Sequence, residues 1–440
     1  MERKIIVLFL AATLIAGCGR KVTVSHPTVV PEPVFMVEKE GAFQLHANPK
    51  VSVVNVGQNS ATVKYIMKSL RHGRMHPKLV STSQDKDIEL VVNDTLNPEL
   101  GDEGYLLEVR ASGIRLSANT ELGLFYAYQT FVQLLPSDVT RTVYSTIVLP
   151  ECTILDYPSF AWRGLHVEMG EDTLSMKTLY RVVDMMSAYK LNRLSVSSSV
   201  TELQERNPEL DAYASDHGVS VLWDSVYVVG ADVRAGLDSV RVGHEVVMEP
   251  EEYWRLDRYQ ADPRYQPEAS EGVVTLGRVY EFDPVPVGTN SHLAVGVKGG
   301  QCRLLTDCAW RQQDVEYMLL PRLLAVSEVL WSPREKRDWS RFRRKVEEEK
   351  ERLDVKGYRY CEGSFTPLFT VRRVDGRTMN VAIGTEVPNT YIFYTTDKSR
   401  PTRESAIYLG PINLERGTHI KILPVYKGVE RDSIYEYVIK

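Results

Sequence analysis

Between residues 162 and 357 the apolar positions switch repeatedly between two periods. RGLHVEM reads as a short apolar strand, and behind it Met176, Leu179, Val182, Val183, Met186 and Tyr189 fall on one face of a helix. NRLSVS, VSVLW, EVVME and LAVGV follow as strands, each with a helical stretch behind it, and GQCRLLTDC then runs into the long helical pattern of VEYMLLPRLLAVSEVLW. Alternating strands and helices predict a parallel sheet covered by helices, of the (β/α) TIM-like barrel kind. Five strands are clear. The segment's roughly 195 residues are few for a closed eight-unit barrel, which rarely needs fewer than about 200, so the expectation is a shortened or incomplete barrel over 158–360.

The flanks have other patterns. VSVVNV, the helical ATVKYIMKSLRH, then IELVV, YLLEVR, IRLSA and the helical LGLFYAYQTFVQLL predict an α+β domain over 34–157. From Phe365 the text turns to short alternating runs, VAIG, TYIFYTTD, AIYLGPINL and HIKILPVY, which predict a C-terminal β-sandwich over 365–440. The fold class is therefore multidomain α/β. The charged helix RRKVEEEKER reads as a solvated face with i,i+4 pairs.

The first residues differ from all of this. Arg3 and Lys4 precede the apolar IIVLFLAATL, and IAGC ends at Cys18. The apolar run is too short to span a membrane as a mature helix, and the small residues before a cysteine resemble a bacterial lipobox. The expectation is a lipoprotein signal peptide over 1–18, lipidation at Cys18, a Pro-containing tether over 19–33, and a lipid-anchored protein of the bacterial cell envelope. A simple cleavable signal peptide is the alternative.

At 440 residues, 43% hydrophobic and 25% charged, the chain has globular composition, and its formal net charge of −5 without a basic run argues against nucleic acid as a partner. Cys152, Cys302, Cys308 and Cys361 lack zinc spacing. Outside the cytoplasm a disulfide can persist, either Cys302 with Cys308 or Cys308 with Cys361. His244-Glu245 would need His at 248 for a zinc helix, and Met stands there. No metal or other cofactor is expected.

Four stretches together resemble glycoside hydrolase family 20, the β-N-acetylhexosaminidases: EGYLLEV with GLFYAYQTFVQLLP; DYPSFAWRGLHVEM with MMSAYKLN; GHEVVMEP with LDRYQADP and VYEFDPVP; and EYMLLPRLLAVSEVLWSP. YTTDKSRPT is similar to the Fn3-like domain that follows the barrel in many bacterial members. The resemblance implies substrate-assisted hydrolysis of terminal N-acetylhexosamine. In that chemistry the sugar's acetamido oxygen attacks, an Asp orients it, and the adjacent Glu protonates the leaving oxygen. That pair closes the family's fourth barrel strand. Here the one adjacent Asp-Glu is Asp102-Glu103, in the N-terminal domain. After DAYASDHGVSVL, which resembles the second-to-third unit, the chain passes almost directly to WDSVYVVGADVRAGLDSVRVGHEVVM, which resembles the sixth-to-seventh. The block with the catalytic pair is missing.

The pocket positions that the resemblance implies are partly kept. Arg163 matches a fork for the sugar hydroxyls, Asp307 stands where the family has a sugar-binding Glu, and Trp223, followed by Asp224, matches a wall of the acetamide pocket. The family's Asp-x-x-Arg-His is replaced by Glu168, Glu171 and Asp172, its later His and Asp by Ser197 and Val200, a Trp by Leu305 and a Tyr by Arg255. Read without the resemblance, Arg163 is an ion-pair partner of Glu168 or Asp307, and Trp223 is a core residue. The expectation is a family-20-like protein without hexosaminidase turnover that binds N-acetylhexosamine-containing glycan weakly, or a protein partner. The alternative is an active hydrolase with a rebuilt acid site, for which Glu168 and Asp307 are the candidates.

Overall fold

The structure is a computed structural model and describes residues 20–81, 85–170, 174–198, 207–223, 228–308, 311–431 and 434–440. Glu171, Asp172, Val200, Asp224 and Cys18 lie outside the described residues.

In the N-terminal part, Tyr105–Arg110 and Gly113–Ala118 form an antiparallel hairpin at the centre of a mixed sheet. On one side lie Tyr144–Asp156 and Arg20–Thr23, and on the other Ile88–Val92, Lys50–Val54 and Lys78–Leu79. Phe35–His46 pairs antiparallel with Tyr144–Asp156. Two helices cover the sheet. Helix α1 (Ala61–His72) starts where Ser60 Oγ accepts from Val63 N at 3.3 Å and buries Val63, Ile66, Met67 and Leu70. Helix α2 (Glu121–Leu134) is capped by Thr120 and is buried almost all round. A helix apolar on every side must be enclosed on every side. Its partner beyond the sheet is the second domain.

That domain is built on a parallel sheet with six strands among the described residues: β1 (Trp162–Met169), β2 (Arg193–Ser198), β3 (Ser220–Leu222), β4 (Val228–Gly230), β5 (Val246–Met248) and β6 (Val297–Leu305). Their order is β3-β2-β1-β6-β5-β4. Going round, each strand neighbours the next in sequence and β6 closes on β1, except that β3 and β4 do not pair among the described residues. A closed (β/α) barrel would have strands throughout that arc. Among the described residues the six strands leave that arc without a strand, at the junction where the sequence passes from one recognisable block to the next.

Helices α3 (Met176–Ala188), α4 (Pro208–Asp216), α5 (Val233–Arg241), α6 (Arg322–Trp331) and α7 (Trp339–Lys356) belong to this domain. Leu165, Val167, Met169, Leu194, Val196, Cys302 and Leu304 enter one core with Val182, Met186, Leu323 and Val326 of α3 and α6. Two details depart from the sequence reading. LAVGV is mostly a short helix, Ser291–Gly296, begun by the Asn290 side chain accepting from His292 N at 2.9 Å, and the strand starts only at Val297. The charge run on α7 turns partly inward. Arg352 donates to the carbonyls of Val132, Gln133 and Leu135 at 3.1–3.3 Å, which satisfies the C-terminal end of α2.

The C-terminal part is a sandwich of two antiparallel sheets. Leu368–Arg373, Thr378–Gly384 and Ile412–Glu415 form one, and Ala406–Ile407, Tyr391–Thr395, His419–Tyr426, Val429–Glu430 and Tyr435–Val438 the other. Val381, Ile383, Ile392, Ile420 and Ile422 fill the space between them.

Candidate functional site

A strand's side chains alternate between faces, so β1 sorts its residues by parity. Leu165, Val167 and Met169 point to the helices, and His166 and Glu168 to the inner face of the sheet. On β2 the inner set holds Ser195 and Ser197, on β6 Gln301, Arg303 and Leu305, and Glu249 follows directly after β5. These inner residues form one connected polar group. The His166 Nε2 lies 2.9 Å from Ser197 Oγ, and its Nδ1 lies 3.3 Å from Glu249 Oε2. Gln301 donates to the same carboxylate oxygen and accepts from Trp162 Nε1 at 3.3 Å. Arg303 ion-pairs with Glu168 and reaches within 3.9 Å of Glu249 Oε1. Burial works against the Arg303 charge, but Glu168 and Glu249 outweigh it and hold its pKa above the ordinary guanidinium value.

This group sits toward the C-terminal ends of the strands, where barrel sites are built. Its exposure is graded: the side chains of Glu249, His166, Arg303 and Glu168 are 10, 14, 28 and 38% exposed. Among the described residues no group of three or more His, Cys, Asp or Glu is arranged to hold a metal.

The positions expected from sequence fall in three places. Glu168 and Asp307 stand at neighbouring strand ends of the rim: Thr306 N donates to Glu168 O at 3.0 Å, and a Cβ on Gly170 would run into the exposed Asp307 carboxylate. Trp223 lies after edge strand β3, half-buried against the core, with its Nε1 donating to Asp211 Oδ1 on α4 at 2.9 Å. Its indole N–H already has a partner. Asp257, which follows Arg255 by two residues, is buried, and Arg255 Nε donates to it at 3.2 Å.

Arg163 is a correction. It has the parity of the helix-facing residues and lies at the N-terminal end of β1, opposite the rim. Its guanidinium is fully buried, donating to Glu103 at 2.8 and 3.0 Å, to Tyr126 OH at 3.3 Å and to the carbonyls of Phe160 and Lys190. Burial disfavours the charge, and Tyr126 with Glu103 more than offset that, keeping the pKa above its usual value. Neither Glu168 nor Asp307 is its partner. Asp102-Glu103, the adjacent pair outside the barrel, thus contributes a carboxylate that joins two domains.

Close by is a second buried group. Lys190 Nζ donates to Asp156 Oδ2 at 2.8 Å and to Tyr105 OH at 2.7 Å, and Trp331 Nε1 donates to Asp156 Oδ1 at 2.9 Å. Burial pulls the Lys190 pKa down, against the pull of Asp156. The cysteine pairings are also corrected. Cys152, Cys302, Cys308 and Cys361 are all free thiols, and Cys302 points into the helix-facing core with its Sγ 3.6 Å from Gly164 O.

Comparison with known proteins agrees with this architecture. Residues 26–157 match the sequence pattern of glycosyl hydrolase family 20, domain 2, residues 205–334 that of the glycosyl hydrolase family 20 catalytic domain, and residues 381–436 an Fn3-associated pattern. A beta-hexosaminidase of Porphyromonas gingivalis is 20% identical over 573 residues, covering 91% of this chain and 73% of that protein. Those 573 aligned positions outrun the 440 residues here, so the relative contains residues without counterparts in this chain. A beta-hexosaminidase subunit beta of Sus scrofa is 35% identical over 101 residues, which cover 23% of this chain and 18% of that protein. Among solved structures, the Streptomyces plicatus N-acetyl-beta-hexosaminidase in complex with Thio-NAglucal superposes with a TM-score of 0.65 at 15% identity, covering 77% of this chain and 97% of that one. The beta-N-acetylhexosaminidase of Bacteroides fragilis gives 0.59 at 14%, covering 76% and 97%. At such identities the likeness is one of fold.

Proposed function

We propose, for a chain that belongs to glycosyl hydrolase family 20, that it has the hexosaminidase architecture without the glycosidic chemistry and binds N-acetylhexosamine-containing glycan weakly at the rim of its open sheet. The observation that carries the reading is the break between β3 and β4. In the family resemblance the fourth strand brings the Asp-Glu pair; among the described residues no strand stands there, and the second domain's sequence holds no adjacent Asp-Glu. Losing a general acid costs at least about 10²-fold in rate. Glu168, the nearest replacement, is taken up by Arg303.

The rim retains little to hold a sugar. Asp307 is exposed and free to accept from hydroxyls, while Trp223 is half-buried against the core and Leu305 and Arg255 stand where the resemblance places aromatic walls. One or two charge-assisted bonds without an apolar wall give affinity no better than roughly millimolar, near −4 kcal/mol. An NMR titration with N-acetylglucosamine should give a Kd in that range, with shifts around Asp307 and little preference over glucose. Micromolar, N-acetyl-selective binding would contradict the reading, and no binding of any sugar would favour a protein partner.

The second reading, a hydrolase with a rebuilt acid site, is favoured by one observation, the position of Glu168 and Asp307 at neighbouring strand ends of the rim. For the N-terminus we propose lipid anchoring at Cys18, on the lipobox-like IAGC. No helix of the described residues is long and apolar enough to cross a membrane. Cys18→Ala should move the protein from the membrane to the soluble fraction, and retention would contradict anchoring through that cysteine.

A further inference from the structure

We propose that Ser197, His166 and Glu249 form a hydrolytic triad on the inner face of the open sheet, acting on short-chain acyl esters. The proposal goes beyond the glycan reading and does not depend on it.

The argument starts from the hydrogen bonds of one imidazole. Glu249 Oε2, 3.3 Å from Nδ1, is a carboxylate oxygen and can only accept when ionised, so Nδ1 carries the proton. Nε2 is then a bare lone pair, and the Ser197 hydroxyl, 2.9 Å away, is placed to donate to it. This tautomer is the one a serine nucleophile requires: base toward the hydroxyl, N–H toward the carboxylate. Gln301 holds Glu249 through the shared Oε2, and that carboxylate is nearly enclosed while Ser197 is half-buried. The three residues come from β1, β2 and the end of β5, so the rigid sheet fixes their spacing.

A purely structural role would be to satisfy polar groups inside a sealed barrel. Among the described residues the sheet has an unpaired arc between β3 and β4, and Ser197 lies one strand in from it, near the C-terminal end of β2 in register with Glu168. Arg303, paired in register with His166, lies on the same face, with its guanidinium held by Glu168 and Glu249.

The chemistry follows from the nucleophile. A serine oxygen activated by imidazole adds to an sp² carbonyl carbon, whereas a glycosidic acetal offers no such carbon and requires an acid at the leaving oxygen. Ser197 Oγ bonds to the acyl carbon while its proton passes to His166 Nε2. The tetrahedral intermediate then expels the alcohol, which takes that proton. Water, deprotonated by His166, hydrolyses the acyl-serine to release the carboxylic acid and restore the hydroxyl. The half-buried position of Ser197 suits a small acyl group such as acetyl.

The test uses the full chain with a fluorophosphonate probe, which phosphonylates activated serines, and with p-nitrophenyl acetate. Wild type should be labelled at Ser197 on peptide mapping. Ser197→Ala should lose the label and at least about 10²-fold of ester turnover, and Glu249→Gln should keep Ser197 in place but label more slowly. Circular dichroism and melting temperature establish that each variant is folded, and the wild-type labelling stands independently of them. A folded wild type unlabelled at Ser197, or labelled only on a neighbouring serine, would overturn the proposal, as would a folded Ser197→Ala with unchanged turnover.

Discussion

A buried charge is tolerated only beside its partner. Lys190 and Asp156 both have 0% side-chain exposure, so Asp156→Ala would strand an ammonium. Beside it would remain the Tyr105 hydroxyl and the Trp331 ring, 4.5 Å away. The expected loss is about 3–5 kcal/mol of stability, read as a lower urea midpoint. A change under about 0.5 kcal/mol would show that the pair does not carry the interface. Glu103, Tyr105, Asp156, Arg163, Lys190, Asn192 and Trp331 all meet here, and all lie in or beside the stretches that carry the family resemblance. The resemblance is therefore written largely in residues that join two domains, which is why the family was legible and the site much less so. Arg163 was misplaced although a signal was present, since it shares parity with Leu165, Val167 and Met169 rather than with His166 and Glu168. The triad had no comparable local signal. His166, Ser197 and Glu249 come from three strands, and only their pairing brings them together.

Between elements, one contact joins the C-terminal sandwich to the second domain and should make it sensitive to pH. Glu386, just past the strand Thr378–Gly384, accepts through Oε1 from Thr275 Oγ1 at 2.5 Å and from Gly277 N at 3.1 Å, while its buried Oε2 has no partner. Burial pushes its carboxyl up to about 7, with Glu281 adding to the rise and the two donors opposing it. The folded state therefore keeps a proton that the unfolded chain releases near its ordinary pKa of about 4.3. This contribution to stability is full below that value and is lost as pH rises through about 7. Glu386→Gln should consequently gain on wild type between pH 5 and pH 8, by up to about 3 kcal/mol, in paired thermal melts. Parallel pH profiles for the two proteins would contradict it. The elements themselves were readable where period and length were both strong, as in α2 and α3. Of the three-residue strands, β3 and β5 lie in the apolar runs VSVLW and EVVME and were read, whereas β4 was lost, as was the helix that a side-chain cap makes of LAVGV.

At the scale of the molecule, the sequence reads as a jump between two recognisable blocks, and among the described residues the strands on either side of that junction, β3 and β4, do not pair. The sequence reading of an incomplete barrel followed from length and unit count, because every βα unit needs a minimum of chain. What the inner face does with its freedom was not legible, because it depends on which side chains face an arc left without strands. The proposed loss of glycosidic hydrolysis follows from one feature: among the described residues no strand stands where the acid would be carried. The most direct test is turnover of an aryl N-acetylglucosaminide by the purified chain. Release of the aryl alcohol should be no faster than in buffer, and robust turnover abolished by Glu168→Gln or Asp307→Asn would establish a rebuilt acid site instead.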